Sequence, residues 1–256
     1  SGSASVWEAR FTPQEKGTYS YIFRYKEDGK TASETAPATF KAAKGKGKGI
    51  LHTADNSTLV YDNGEPFRGV GINLCWESRT NDDSKFFKAL HEQHDRFSYD
   101  VMLPDFAANG GNFTRMWMCS WNFPIDRKER FNNHRYTATA EYMNPSAVSH
   151  LDEVIRLAED LDIKIMLCMG QGDVRANRGF FNDEDAKARY RNYLRYIVAR
   201  WGYSPAIGMW EFFNEIDNIQ HRDRNGVIPA AEIVAWHDQM STYLKEIDPF
   251  QHIRTT

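Results

Sequence analysis

The sequence predicts an α/β fold, a parallel sheet whose strands alternate with helices, placed after a short all-β segment. Three observations predict it. From Gly49 onward, apolar runs of six or seven residues alternate with stretches of helical periodicity. Connections from helix to strand are short, while those from strand to helix are long. Residues 6–43 show instead the period-two alternation of antiparallel strands. Composition agrees, since 41% hydrophobic and 26% charged residues are ordinary for a globular chain. No apolar run approaches the roughly 20 residues of a membrane span, and a net charge of -3 argues against a nucleic-acid partner.

In the first segment, Tyr19, Tyr21, Phe23 and Tyr25 alternate with Ser20, Ile22 and Arg24. Asp28-Gly29 is a hairpin turn signal, and a second run returns from Thr31 to Phe40. This resembles the last strands of an immunoglobulin-like sandwich. It is too short to close one, which takes about 100 residues, so the chain is expected to begin inside that module. Lys44 to Lys48 alternates with glycine and reads as a solvated linker. The expected organisation is a partial β-sandwich at 1–43, a linker at 44–49 and a larger domain at 50–256.

The larger domain opens with a hairpin from Leu59 to Phe67, turned at Asp62-Asn63-Gly64. Four sheet strands follow, Gly69 to Leu74, Asn112 to Met118, Ile163 to Met169 and Ile207 to Phe213, and a fifth starts at His252-Ile253-Arg254. Helices are expected at Tyr99–Ala108, Ser146–Leu161, Asp183–Trp201 and Pro229–Ile247. Val148, Leu151, Val154, Ile155, Leu157 and Ala158 line one face of the second. Pro229 suits the first turn of the last.

The long loops run roughly from Cys75 to Ser98, Cys119 to Pro145, Gly170 to Asn182 and Ile216 to Ile228. Long loops on one face of a parallel sheet mark the functional face, in a barrel and in a doubly wound open sheet alike. No Gly-rich phosphate loop follows any strand. The run Trp210-Glu211-Phe212-Phe213-Asn214-Glu215 ends a buried strand in an amide and a carboxylate. A charge there is costly unless paired or used. Either Glu215 sits in the first turn of a following helix, or it is a reacting group presented in a cleft. Arg115 lies on the second strand, and Asn73 and Trp76 end the first.

Other motifs are weaker. Cys75, Cys119 and Cys168 form no C-x-x-C pair and read as buried free thiols. His91 and His94 are spaced i, i+3, not the i, i+4 of a zinc-protease helix. No G-x-S-x-G elbow exists. Trp76, Trp121, Phe123, Tyr136 and Tyr142 lie in the long loops, and one or two are expected to form a sugar-stacking platform.

Together these residues resemble the retaining glycoside hydrolases built on (β/α)8 barrels, the clan that includes the family 5 cellulases and mannanases. Asp62 to Asn73 is similar to the clan's entry into its first strand, Gly110-Gly111-Asn112-Phe113-Thr114-Arg115 to its second, and Tyr193 to Glu215 to the helix and fourth strand carrying Asn-Glu. The resemblance implies the N-terminal half of a TIM barrel, with strands 1–4 and the start of 5, preceded by the partial sandwich. It implies a glycosidase acting on a β-linked polysaccharide or oligosaccharide, with no cofactor or metal, located in the periplasm, at the cell surface or outside the cell. It assigns Glu215 as general acid/base, Asn214 to the sugar 2-hydroxyl and Arg115 to orienting the nucleophile, with Asn73, Trp76 and Trp121 contacting substrate.

The clan's nucleophile is a Glu on the seventh strand, and this sequence reaches only the fifth. Glu211 shares parity with Glu215, but four strand residues separate them by roughly 13 Å, against about 5–5.5 Å for a retaining pair. It reads as an interior acid paired with Arg68 or Arg115. Asp173 would fit only an inverting arrangement, and Glu77 and Asp217 are no better placed. The nucleophile is therefore expected from a missing half of the barrel, as a continuation, a separate chain or a second copy. A non-catalytic glycan-binding module is the rival reading. Gly170-Gln171-Gly172-Asp173 stands where family 5 members often carry His, which argues against close membership of that family.

Overall fold

The structure, a computed structural model, describes residues 8–45, 47–77, 98–119, 122–126, 143–170, 178–220 and 226–256. The chain divides into two units, Ser1–Lys48 and Gly49–Thr256. The first holds β1 (Gly17–Tyr21), β2 (Arg24–Glu27), β3 (Lys30–Glu34) and β4 (Ala38–Ala42). The alternation from Tyr19 to Tyr25 predicts one strand, but the structure breaks it at Ile22-Phe23. There Phe23 N donates to Thr35 Oγ1 at 3.0 Å, and Thr35 N donates to Phe23 O at 2.9 Å. The result is two antiparallel pairs, β1 with β4 and β2 with β3. Asp28 and Gly29 turn the second pair with φ of 48° and 77°, the left-handed geometry of a tight hairpin. No described residue from 8 to 45 is buried, so the expected sandwich core is not seen among them.

The second unit starts with an antiparallel sheet of β5 (Leu51–Thr53), β6 (Leu59–Tyr61) and β7 (Pro66–Phe67). The hairpin was legible in sequence and β5 was not. A side chain fastens β5: the Asp62 carboxylate accepts from Ile50 N and lies against His52 Nε2, each at 2.7 Å. Strand and helix then alternate: β8 (Gly71–Ile72), α1 (Tyr99–Ala108), β9 (Phe113–Trp117), α2 (Pro145–Asp160), β10 (Lys164–Cys168), α3 (Arg178–Asn182), α4 (Glu184–Trp201), β11 (Ile207–Glu211), α5 (Ile216–Gln220), α6 (Ala230–Ile247) and β12 (Ile253–Thr255). The five later strands form one parallel sheet in the order β8-β9-β10-β11-β12.

Capping explains where the helices start. Asn144 Oδ1 accepts from Ser146 N and Ala147 N ahead of α2, with Pro145 in the first turn. Asp183 does the same for α4 through Ala186 N at 2.8 Å. The apolar faces of the helices then bury against the sheet. Leu151, Val154, Ile155 and Ala158 of α2 meet Met116, Ile165, Leu167 and Trp210 in one core. At about 1.5–3 kcal/mol for each large apolar side chain, this layer dominates the unit's stability.

All four sheet strands are shorter than the sequence suggests, and the first and fourth differ most in where they end. In the first, only Gly71 and Ile72 join the ladder. Side chains of β9 and the residue before it supplement the few backbone bonds there: Asn112 bonds Val70 N and Arg68 O, and Thr114 bonds Ile72 O and Leu74 N. The fourth ends at Glu211 rather than Phe213. Its pairing with β10 slips by one residue at Gly208, a bulge that sets the direction of Met209 and Glu211.

Candidate active site

The pleat assigns the site to one face of the sheet. Register places Arg115 beside Met166 and Met166 beside Met209. One row nearer the carboxyl ends lie Trp117, Cys168, Glu211 and Thr255. The opposite face, with Met116, Leu167 and Trp210, belongs to the helices. Alternation thus sends two charged side chains, Arg115 and Glu211, away from the core and toward each other.

They meet in a forked ion pair. Arg115 Nε donates to Glu211 Oε2 at 2.6 Å, and Nη2 donates to Glu211 Oε1. The same Nη2 donates to Asn214 Oδ1 at 3.0 Å. The Glu211 side chain is 5% exposed and that of Arg115 16%. The hydrogen bond to Glu211 outweighs burial and holds the guanidinium above its ordinary value, so Arg115 remains a cation. Its guanidinium also lies 5.5 Å from the centre of the Trp117 ring.

Beyond Glu211 the chain crosses over β10's exit. Met169 N donates to Glu211 O at 2.7 Å, Asn214 N to Gly170 O at 2.8 Å, and Phe212 N to Thr255 O at 3.0 Å. Phe212 and Phe213 are buried among Phe180, Trp236 and His237, which anchors the turn. Asn214 is 6% exposed. Glu215 is exposed and takes φ of 52°, a left-handed conformation uncommon for a side chain of its size. Its carbonyl accepts the first bonds of α5, from Asn218 N and Ile219 N, and its carboxylate accepts from Asn218 Nδ2 at 2.9 Å. Glu215 thus caps a short helix and also offers a carboxylate to solvent beyond the strand end.

The remaining sequence-derived candidates separate. Asn73 is exposed and makes no hydrogen bond among the described residues. Trp76 is half-buried, its ring 4.9 Å from that of Trp117. Trp121, Asp173, Tyr136, Tyr142, His91 and His94 lie outside the described residues. Phe123 is corrected: at 1% exposure, stacked on Tyr99 with centroids 5.5 Å apart, it is a core residue and no sugar platform. Cys119 and Cys168 are buried free thiols as expected, whereas Cys75 is only half-buried. Burial pushes the Cys75 thiol up to about 11, opposed by Arg115. Glu77 is occupied, accepting from Tyr99 N at 2.8 Å and lying 3.4 Å from His150. Clefts of about 500 and 440 Å³ open elsewhere, and neither is lined by Arg115, Asn214 or Glu215. Sequence reasoning missed Trp117, although its parity with Arg115 on β9 was a usable signal.

Residues 60–255 match the model of the family described as Cellulase (glycosyl hydrolase family 5). Mannan endo-1,4-beta-mannosidase A of Podospora anserina is 24% identical over 164 residues, 58% of this chain and 42% of that protein. A solved structure from Bacteroides vulgatus aligns over 96% of this chain and 46% of its own, with a TM-score of 0.66 and 18% identity. The β-mannanase of the blue mussel Mytilus edulis aligns over 82% and 63%, with a TM-score of 0.57 and 19% identity. The chain spans less than half the length of the curated relatives it matches. The solved structures share the fold, an α/β architecture around a parallel sheet. The family match overturns the expectation drawn from Gly170 to Asp173 that family 5 membership is remote.

Proposed function

The chain belongs to glycosyl hydrolase family 5, and on that premise we propose that it carries the acid/base side of a retaining glycosidase site for a β-linked mannan-type glycan. The observation that carries this reading is the exposed Glu215 carboxylate at the carboxyl end of β11, beside a buried Asn214 held by Arg115. A protonated Glu215 gives its proton to the leaving glycosidic oxygen and then takes one from the attacking water. Asn214 addresses the sugar 2-hydroxyl. Mannan is the favoured substrate because the curated relatives are named as mannan endo-1,4-beta-mannosidases. A polymer of that kind is met outside the cell, which suits a secreted or surface location.

A retaining mechanism needs a second carboxylate about 5–5.5 Å from the first. Glu211 is committed to Arg115, and Glu77 to Tyr99 N and His150. We therefore assign the nucleophile to a segment outside these residues, in a (β/α)8 barrel that continues the five parallel strands. Arg115 has one donor, Nη1, without a partner among the described residues, and it is the group that would hold the arriving carboxylate.

The test is hydrolysis of β-1,4-mannan by the complete polypeptide that contains this chain. E215Q should lower kcat by at least about 100-fold. With a dinitrophenyl β-mannoside, whose leaving group needs no proton, E215A should retain its first step and yield β-mannosyl azide when azide is added. Unchanged turnover by E215Q, or inverted azide product, overturns the reading.

A further inference from the structure

Glu211 is a charge that the proposed chemistry leaves unexplained. It is a buried acid on the site face of the sheet, it is not the nucleophile, and the acid/base chemistry of Glu215 does not use it. Its geometry gives it a role. A guanidinium has only donors, so whatever touches it must accept. Glu211 occupies Nε and one side of Nη2, which sets the plane and rotation of the guanidinium. The other lobe of Nη2 then reaches Asn214 at 3.0 Å, and only the amide oxygen can face it. The amide nitrogen must point the opposite way. Asn214 is only 6% exposed, yet its Nδ2 has no partner among the described residues.

We propose that Glu211 is a positioning residue that acts through Arg115 to lock the Asn214 amide with Nδ2 as a pre-aimed donor toward substrate. The proposal rests on the glycosidase reading of Asn214-Glu215 and deepens it. Without Glu211, Arg115 can rotate about its last torsions toward Trp117 or solvent, and Asn214 loses the contact that distinguishes its two flips. The substrate hydroxyl then meets a carbonyl oxygen part of the time, or meets nothing. The loss falls on the step in which that hydrogen bond strengthens, so kcat should suffer more than KM.

The experiment is a double-mutant cycle on mannan hydrolysis by the complete polypeptide, with rates normalised to sites trapped by a mechanism-based inactivator. E211Q, which preserves shape, should lower kcat/KM by at least about tenfold. N214A should do the same, and E211Q/N214A should be no worse than N214A alone, since the first residue works only through the second. Losses that multiply in the double variant overturn the proposal. A second variant covers the case in which E211Q folds poorly. N214D keeps an oxygen toward Arg115, replaces the outward donor by an acceptor and adds a negative charge that Arg115 faces, so it should still lose as much turnover as N214A. An active N214D overturns the assigned orientation. If E215Q is inert while the cycle is additive, the glycosidase reading stands and the role of Glu211 alone fails. An active E215Q removes the reading itself.

Discussion

Removing the Asp248 carboxylate should loosen the end of the sheet more than any surface change. Asp248 follows α6 and is 1% exposed. Its Oδ2 accepts from Trp210 Nε1 at 3.0 Å, His252 N at 3.0 Å and His252 Nδ1 at 2.9 Å, and its Oδ1 from Phe250 N at 3.0 Å. Trp210 and His252 are 0% exposed, so D248A strands three donors where water cannot replace the acceptor. At about 1–1.5 kcal/mol for each, the loss is roughly 3–5 kcal/mol, the range for breaking one partner of a buried pair. At about 2–4 °C per kcal/mol for a domain of this size, Tm falls by roughly 6–20 °C. Burial pushes the Asp248 carboxyl up, but His252 and Trp210 outweigh it and hold it below its ordinary value. This stabilisation is present above the unfolded value of 3.8 and disappears as pH falls through the lower folded one. Thermal unfolding at neutral pH, followed by near-ultraviolet circular dichroism, is the assay, with D248N expected between wild type and D248A. A D248A melt within about 2 °C of wild type would refute the reasoning.

Two further outcomes are expected. A Cβ at Gly170 would sit 2.7 Å from Phe212 O and from the Phe213 ring, while Gly170 O holds Asn214 N at 2.8 Å. G170A should therefore lower stability by about 1–3 kcal/mol and kcat/KM by roughly 10- to 100-fold, as shown by urea titration and mannan hydrolysis. Two half-buried histidines, His237 and His150, should titrate in opposite senses. Burial lowers His237, so its contribution is intact above the unfolded value of 6.5 and is lost as pH falls toward the folded one. Glu77 raises His150, so its contribution is intact below 6.5 and is lost as pH rises through the folded value. Melting curves from about pH 5 to 8 should show a shallower acid loss in H237F and a smaller alkaline loss in H150Q.

Much of the fold was legible because local chemistry and burial agree. Apolar runs became β9, β10 and β11, the periodic stretches became α1, α2, α4 and α6 within a residue or so, and Pro229 stands at the start of the last. Reading failed where side chains supplement few backbone bonds, as those of Asn112 and Thr114 do beside β8, or where a distant acid fastened a strand, as Asp62 does for β5. Neither arrangement leaves a periodic trace. Phe123 shows the same limit, since a loop aromatic packs inward or outward according to what lies beneath it, here Tyr99.

The sequence by itself determined the alternation of strand and helix and the placement of Asn214 and Glu215 just after the fourth strand. These follow from period and order along a single chain. Only the tertiary structure decided which partner each charge takes. Arg115 and Glu211 are 96 residues apart, and the pairing depends on β10 lying between their strands and on the bulge at Gly208. It also decided that Glu215 is exposed while Asn214 is buried with its amide oxygen claimed. Neighbours in sequence carry no record of that difference, because it is set by what packs against the turn: Phe180, Trp236 and His237 on one side and Arg115 on the other.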